Sequence, residues 1–576
     1  MQNIEYLVKR LISLGITDVF GYPGGMVTHL LDALDRHQDL ISVHINYHEQ
    51  AAAFAACGYA QVSNNLGVAF ATSGPGATNL ITGICTAYFD SLPVLFITGQ
   101  VNTYESKGTL PMRQKGFQET DVVELVRSVC KYAKKVEKPE ELPEILETAI
   151  KTAMEGRRGP VLLDIPMNIQ RAEISSVEYA NDFLPISSVD SILTGHIETI
   201  IAEILKAKRP CLLIGAGVRH SGNELLVRAI VDLLGMPVVT SMIAVDILPS
   251  PHPLNFGFIG AYGNRFSNII VAKCDLLITL GSRLDIRQTG ANPSGFASKA
   301  RILRVDVDNG ELQNRISKDE IHIHSDLSML LPALIAHLEQ RDIDNTDINK
   351  QWLGICKQIR EKVEGMDDLL PNQMMREISN QIPENSIITT DVGQNQVWVS
   401  QSFQVKAGQQ VLFSGGHGAM GYSLPAAIGA YYAQKSNMRV YSINGDGGIQ
   451  INIQELQFIA RESLPITVVI LNNQSLGMIR HFQEMYFNSN FAQTVEEKGY
   501  SVPDFKRIAY AYGFTYYRAD KLTDITEAMT PHAGPVLLEI QLGSKTYVYP
   551  KLAFDKPIHL QEPPLPAELT EYLMGL

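Results

Sequence analysis

Asp446 and Asn473 are of the types, and at the spacing, to hold a hard metal ion. Asp446 lies in Ile443-Asn444-Gly445-Asp446-Gly447-Gly448, after a short apolar run at residues 438–443. The glycines let the backbone turn tightly and come close to a ligand. Residues 449–461 have helical periodicity, and a second apolar run, residues 466–471, leads to Asn472-Asn473. Strand, turn, helix and strand return both side chains to one end of a parallel sheet, because a parallel crossover needs about this length. A carboxylate and an amide oxygen there suit an octahedral ion such as Mg2+ carrying a diphosphate. Gly-Asp-Gly alone is an ordinary turn. The aspartate, the spacing and the Asn pair together make the signal.

The elements that must position these groups fill a long chain. Its 576 residues predict three domains at about 100–200 residues each. A hydrophobic content of 45% with 19% charged residues fits globular domains. The net charge of −13 speaks against nonspecific nucleic-acid binding. Six cysteines lack metal-ligand spacing and read as buried, reduced thiols of a cytoplasmic protein. No basic-then-apolar leader opens the chain, and no apolar run reaches about 18 residues, so neither secretion nor membrane spanning is expected.

Helical and strand patterns alternate throughout, which predicts an α/β protein of three domains, each a mainly parallel sheet flanked by helices. The first covers residues 1–167, with helices at 4–15 and 50–58 and strands at 19–21, 66–72, 94–99 and 160–166. A polar linker is expected at 168–190. The second covers 191–340, with strands at 211–214, 238–240, 277–280 and 302–307, and a charged stretch at 341–350 follows it. The third covers 368–545, with strands at 386–390, 438–443, 466–471 and 536–541. Residues 546–576 form a Pro-rich tail, read as a mobile cover rather than a domain. The first and third units echo each other: Gly159-Pro160-Val161-Leu162-Leu163 and Gly534-Pro535-Val536-Leu537-Leu538 close them.

The run Gly445-Asp446-Gly447-Gly448-Ile449-Gln450-Ile451-Asn452-Ile453-Gln454-Glu455-Leu456, with the later Leu471-Asn472-Asn473-Gln474-Ser475-Leu476-Gly477-Met478, resembles the cofactor signature of thiamine-diphosphate (ThDP) enzymes. Its wording is similar to that of acetolactate synthase catalytic subunits. The resemblance implies that Asp446, Asn473 and the Ser475 carbonyl hold Mg2+. It adds Gly445, Gly447, Gly448, Leu476, Gly477 and Met478 to the cofactor site. The outer domains would then be the pyrimidine and diphosphate halves, meeting between two chains of a homodimer or homotetramer, with a regulatory subunit as a further partner.

Such a cofactor needs a carboxylate at its pyrimidine ring. Glu49, in Tyr47-His48-Glu49-Gln50-Ala51-Ala52-Ala53, is the candidate. As a residue alone it reads as a first-turn Glu favoured by the helix dipole; its frame resembles the family's essential glutamate. Gly25, in Gly21-Tyr22-Pro23-Gly24-Gly25, is either a plain turn or, by resemblance, a backbone donor beside the reacting carbonyl. Met26 follows where the family has Ala. Thr72-Ser73-Gly74-Pro75-Gly76-Ala77-Thr78-Asn79 serves packing or a ligand. Gly116-Phe117-Gln118-Glu119-Thr120-Asp121 is similar to the acceptor-side motif, with Gln118 the polar group and Phe117 an apolar wall. Lys131 matches a lysine facing that cavity, against the alternative of a solvated surface lysine. Residues 102–115 are longer than the resemblance predicts.

In the third unit Gly393, Gln394 and Asn395 are expected at the diphosphate, with Asn395 where the family often has His. Gly418 and Met420 belong to a second glycine loop, Met420 matching the residue that props the cofactor into its bent shape, or else filling the core. Phe482 stands where many acetolactate synthases have Trp. In the second unit Gly215-Ala216-Gly217 is a weak dinucleotide signal. Arg283, Arg287 and Asp306 resemble the family's FAD segment, which raises FAD as a structural cofactor; Arg287 could instead pair with a substrate carboxylate. The implied activity is decarboxylation of pyruvate and transfer of the two-carbon unit to a second 2-oxo acid. Two rivals remain: transfer to another ketone, such as a nucleotide-linked keto sugar, and a catalytically silent homologue acting as a binding subunit.

Overall fold

The computed structural model describes residues 1–174, 191–340, 346–434, 438–530 and 532–576. It contains three six-stranded sheets and every pairing within them is parallel. Their central strands are buried on both faces, as parallel strands under helices must be, while edge strands such as Ser42–Ile45 and Thr515–Ala519 are partly exposed. In the first sheet the spatial order is Ser42–Ile45, Asp18–Gly21, Gly67–Ala71, Val94–Gln100, Val161–Pro166, Tyr132–Lys135. In the third it is Gln410–Leu412, Ser386–Thr390, Arg439–Gly445, Ile466–Asn472, Val536–Gln541, Thr515–Ala519. Numbered within each unit, both run 2-1-3-4-6-5, so the echo in sequence is an echo in topology. The central sheet instead runs 3-2-1-4-5-6, the other doubly wound order. In all three, the loops after two adjacent strands diverge where the order reverses, opening a crevice at the carboxyl ends.

The helix Glu49–Ser63 is buried almost all round because it lies between two sheets' layers. It crosses Ser423–Ala433 of the third unit at backbone distance: a Cβ on Gly58 would overlap the Ala426 carbonyl, and one on Gly429 the Ala55 carbonyl. Small residues on both sides make this approach feasible.

Three expectations change. Residues 449–461 are two helices, Gly448–Ile451 and Glu455–Arg461, broken where Asn452 leaves helical geometry and its side chain donates to Gly421 O at 2.8 Å. The tail is a fixed strap. Arg265 donates to Gln561 O and Pro563 O, Asn268 to Ile558 O, and Lys273 to Met574 O, all from the central unit. The expected linker opens with a short helix, Met167–Arg171, and its residues 175–190 lie outside the described residues. Of the charged stretch, residues 341–345 also lie outside them, and the helix Thr346–Val363 follows. All six cysteines are free, four of them buried. No helix among the described residues is long and apolar enough to cross a membrane.

Candidate active site

In the first unit the crevice lies between the ends of Asp18–Gly21 and Gly67–Ala71. The Gly24 turn packs on Thr72, whose Oγ1 accepts from Met26 N–H at 3.2 Å. Gly25 is exposed there. Glu49 opens its helix with 9% exposure. Asn79 Nδ2 donates to its Oε2 at 2.9 Å, while Oε1 lies 3.1 Å from where a Cβ on Gly76 would stand. Oε1 accepts no hydrogen bond among the described residues, so one carboxylate oxygen is anchored and the other faces a glycine cradle. Gln118 stands against Gly74, in the left-handed region at φ 60°. Phe117 beside it is 78% exposed.

Lys131 is not brought to this cluster. Its Nζ donates to Glu155 O at 2.8 Å and its stem lies across Gly159, on the far edge of the sheet. Glu119 proves to be the organiser of the long 102–115 loop. One oxygen accepts from Ser106 Oγ and Lys107 N, the other from Lys115 N and Gly116 N, at 2.5–3.2 Å. Against the upward push of burial, these donors hold its carboxyl down at about 2.

In the third unit the crevice lies between the ends of Ser386–Thr390 and Arg439–Gly445, and it gathers the second cluster. Asp446 is 2% exposed; Oδ1 accepts from Tyr500 Oη at 2.8 Å and Oδ2 from Gln474 N at 2.6 Å. Burial pushes its carboxyl up to about 6 despite these donors. Asn473 spends its Nδ2 on Gln394 Oε1 and Thr546 Oγ1, which fixes the amide oxygen on the opposite side; that oxygen accepts from Ser475 N at 3.2 Å. Ser475 O accepts one N–H, from Gly477 at 2.8 Å, and keeps a second lone pair. Gln474 takes φ 52° between them, the kink that turns both residues inward.

Gly393 has φ 151°, a region open to glycine, and starts the helix Gln394–Ser402 at this crevice. Asn395 Nδ2 returns to Asp391 O at 2.6 Å and its oxygen faces Gly393 and Gly445. Met420, between Gly418 and Gly421 with positive φ, converges with Leu476 and Tyr500 on Gly447; a Cβ there would lie 2.9 Å from Leu476 and Tyr500 and 3.5 Å from Met420. Gly448 packs on Asp391 and Gly477 on Gln394. Met478 leans on the core of this unit, and Phe482 sits outside among Tyr486 and Phe487. Aspartate, amide and carbonyl oxygens make an all-oxygen donor set, which fits Mg2+. Gly447 and Gly76 are cradles that any side chain would fill, which fits a bulky ligand above them.

A cavity of about 530 Å3 lies where the three units meet. Arg283, Arg287, Asp306 and Gly217 line it, with Asp90 and Gly415 from the outer units. Gly215 does not; a Cβ on it would overlap Gly281 O, so it serves strand packing. Asp90 Oδ1 accepts from Gly415 N and Gly416 N, and burial raises its carboxyl to about 7. Tyr500, Thr546, Glu119 and Asp90 carried no weight in the sequence reading. Tyr500 and Thr546 reach the site through long returns of the chain that no local pattern marks; Glu119 stood unweighed beside Gln118.

Three family models match in chain order: thiamine pyrophosphate enzyme N-terminal TPP binding domain at residues 1–125, central domain at 197–334, and C-terminal TPP binding domain at 391–540. The chain belongs to the thiamine pyrophosphate enzyme family. Within it, the sequence is acetolactate synthase-like. It is 34% identical over 557 residues to the acetolactate synthase large subunit of Lactococcus lactis, covering 95% of this chain and 94% of that one. It is 34% identical over 558 residues to the isozyme 2 large subunit of Escherichia coli, with 96% and 97% covered. Against acetolactate synthase 1 of rice it is 36% identical over 569 residues, with 96% and 86% covered.

Proposed function

We propose that this protein is a ThDP- and Mg2+-dependent 2-oxo-acid decarboxylase and carboligase, condensing a pyruvate-derived two-carbon unit with a second 2-oxo acid. One observation carries the reading: the crevices of two like-folded sheets hold complementary halves of a site, an all-oxygen cluster at Asp446, Asn473 and Ser475, and a buried carboxylate with one free oxygen at Glu49. ThDP, when bound, supplies the electron sink for decarboxylation and the carbon nucleophile for ligation. The residues do the rest. Asp446, Asn473 and Ser475 O bind the ion, and the helix start at Gly393 and Gln394 offers N–H groups to the diphosphate. Met420 and Leu476 form the apolar prop. Glu49 Oε1 would be the atom to hold a proton toward the pyrimidine ring, while Asn79 keeps the carboxylate aimed. Gln118 and the Gly25 N–H orient the substrate, with Phe117 on the same side as an apolar wall facing the third unit of a second copy of the chain.

Among the described residues no hydrogen bond joins the two clusters, which supports a site completed between two copies. In this reading FAD occupies the three-unit cavity as a structural cofactor. Arg283 and Arg287 would supply positive charge to such an anionic cofactor, and the volume lies within the range of cofactor sites. A second reading keeps the chemistry and changes the acceptor to another ketone, such as a nucleotide-linked keto sugar; the long loop fixed on Glu119 and the exposed Phe482 favour it.

Purified protein with ThDP and Mg2+ should release CO2 from pyruvate and form acetolactate. CO2 release without acetolactate, and a new product with a keto sugar, would favour the second reading. No CO2 release would indicate a silent homologue. Glu49→Gln should keep the fold and lower turnover by at least about 100-fold; unchanged turnover rejects its role.

A further inference from the structure

The approach to Glu49 is held from the other end of the chain. Between the strand Ser42–Ile45 and the helix Glu49–Ser63 lie only Asn46, Tyr47 and His48. Asn46 is fully buried and its N–H donates to Gly21 O at 3.1 Å. Its Nδ2 donates to Glu455 Oε2 at 2.9 Å, and Tyr47 N–H donates to Glu455 Oε1 at 2.8 Å. Glu455 has no exposed surface. Both of its oxygens are therefore committed to two residues of a different domain, about 400 positions away. At the far end of the same helix, Arg461 donates to Ile45 O at 3.3 Å and to Tyr47 Oη at 3.2 Å, with its guanidinium over the Tyr47 ring. The helix Glu455–Arg461 thus grips the segment at both ends.

A Glu in the first turn of a helix ordinarily faces its own free N–H groups. Glu455 turns away from them. The Tyr47 N–H it accepts lies before the helix and has no intrahelical partner, and a buried N–H must find an acceptor somewhere. His48 then caps the helix through Nδ1, accepting from Gln50 N at 3.1 Å. The position of the first turn, and with it the reach of the Glu49 side chain to Asn79, follows from where Asn46 and Tyr47 are pinned.

We infer that Glu455 is a positioning residue for Glu49: the third unit sets, through the Glu455 carboxylate, the register of the catalytic carboxylate of the first. This rests on the role proposed above for Glu49. It also makes Glu455 more than a packing contact, since a displacement of about 1 Å at a reacting group costs on the order of 100-fold in rate.

The test is Glu455→Gln in the full-length protein, with Glu49→Gln beside it. In the cofactor-free variant, amide exchange of peptides spanning residues 45–50 should accelerate while that of the Val94–Gln100 strand stays unchanged. With ThDP and Mg2+ loaded, exchange of the cofactor C2 proton, followed by quenched-flow NMR, should fall about 10- to 100-fold. ThDP affinity by calorimetry should stay within about threefold, since nothing at Asp446 changes. Slow C2 exchange in Glu49→Gln with wild-type exchange in Glu455→Gln overturns this inference alone; wild-type exchange in Glu49→Gln overturns the role of Glu49 itself. If Glu455→Gln does not fold, Asn46→Ala removes one donor and leaves the Tyr47 bond, with the same expected slowing. Failure of both variants to fold assigns Glu455 a purely structural role and overturns the inference.

Discussion

Asp391 offers a quantitative check on the electrostatics of the third unit. It is fully buried at the end of the strand Ser386–Thr390, and its Oδ1 accepts from Val392 N at 2.7 Å, Gly421 N at 2.9 Å and Tyr422 N at 3.3 Å. Burial outweighs these donors and raises its carboxyl from 3.8 to about 7. The folded protein therefore holds a proton at Asp391 that the unfolded chain has released. That contribution to stability is complete below about pH 3.8 and is lost as pH rises through about 7. At about 1.4 kcal/mol per unit, the loss between pH 5 and 7 is about 3 kcal/mol. Asp391→Asn keeps an oxygen for the three N–H groups and cannot titrate. The chain has two tryptophans, and Trp398 lies in this unit. In a Trp352→Phe background, urea unfolding of cofactor-free protein followed by Trp398 fluorescence isolates the transition. The Asn variant should gain about 3 kcal/mol on its parent between pH 5 and 7. Parallel pH profiles for the two proteins would refute the argument.

Asp446→Ala removes the one carboxylate of the proposed ion site, and calorimetry should show Mg2+–ThDP affinity lowered by about 100-fold or more; unaltered affinity would move the ion elsewhere. Gly429→Ala forces a methyl against the Ala55 carbonyl. It should cost about 1–3 kcal/mol or more, read as a lowered thermal midpoint. Glu119→Gln breaks a four-donor hub, so trypsin should cut at Lys107, Arg113 or Lys115 in the variant while the parent resists. In the parent, the contribution of Glu119 is present above about pH 4.5 and fades as pH falls toward 2.

The central strands were legible because a parallel sheet covered on both faces demands continuous apolar runs, and 386–390 and 536–541 read off to the residue; the short or half-exposed edge strands Tyr132–Lys135, Gln410–Leu412 and Thr515–Ala519 carry no such run and were not. Asp446 and Asn473 were legible because one crossover separates them. The break at Asn452 was not, since its cause is a hydrogen bond to Gly421, outside any local window. Within one chain Lys131 stands by the edge strand Tyr132–Lys135, apart from Glu49, a matter of strand order that periodicity does not encode. The tail looked loose because prolines weaken the helical pattern, yet its carbonyls meet donors from Arg265 and Lys273.

The crossing of Glu49–Ser63 with Ser423–Ala433 has one more consequence. Two backbones in direct touch, each notched by a glycine for the other, leave no lubricating layer of side chains along which the outer units could slide. Relative sliding of the outer units is opposed at this crossing, so reactants reach the two crevices past the loops that rim them, and a change of specificity is most readily made in those loops.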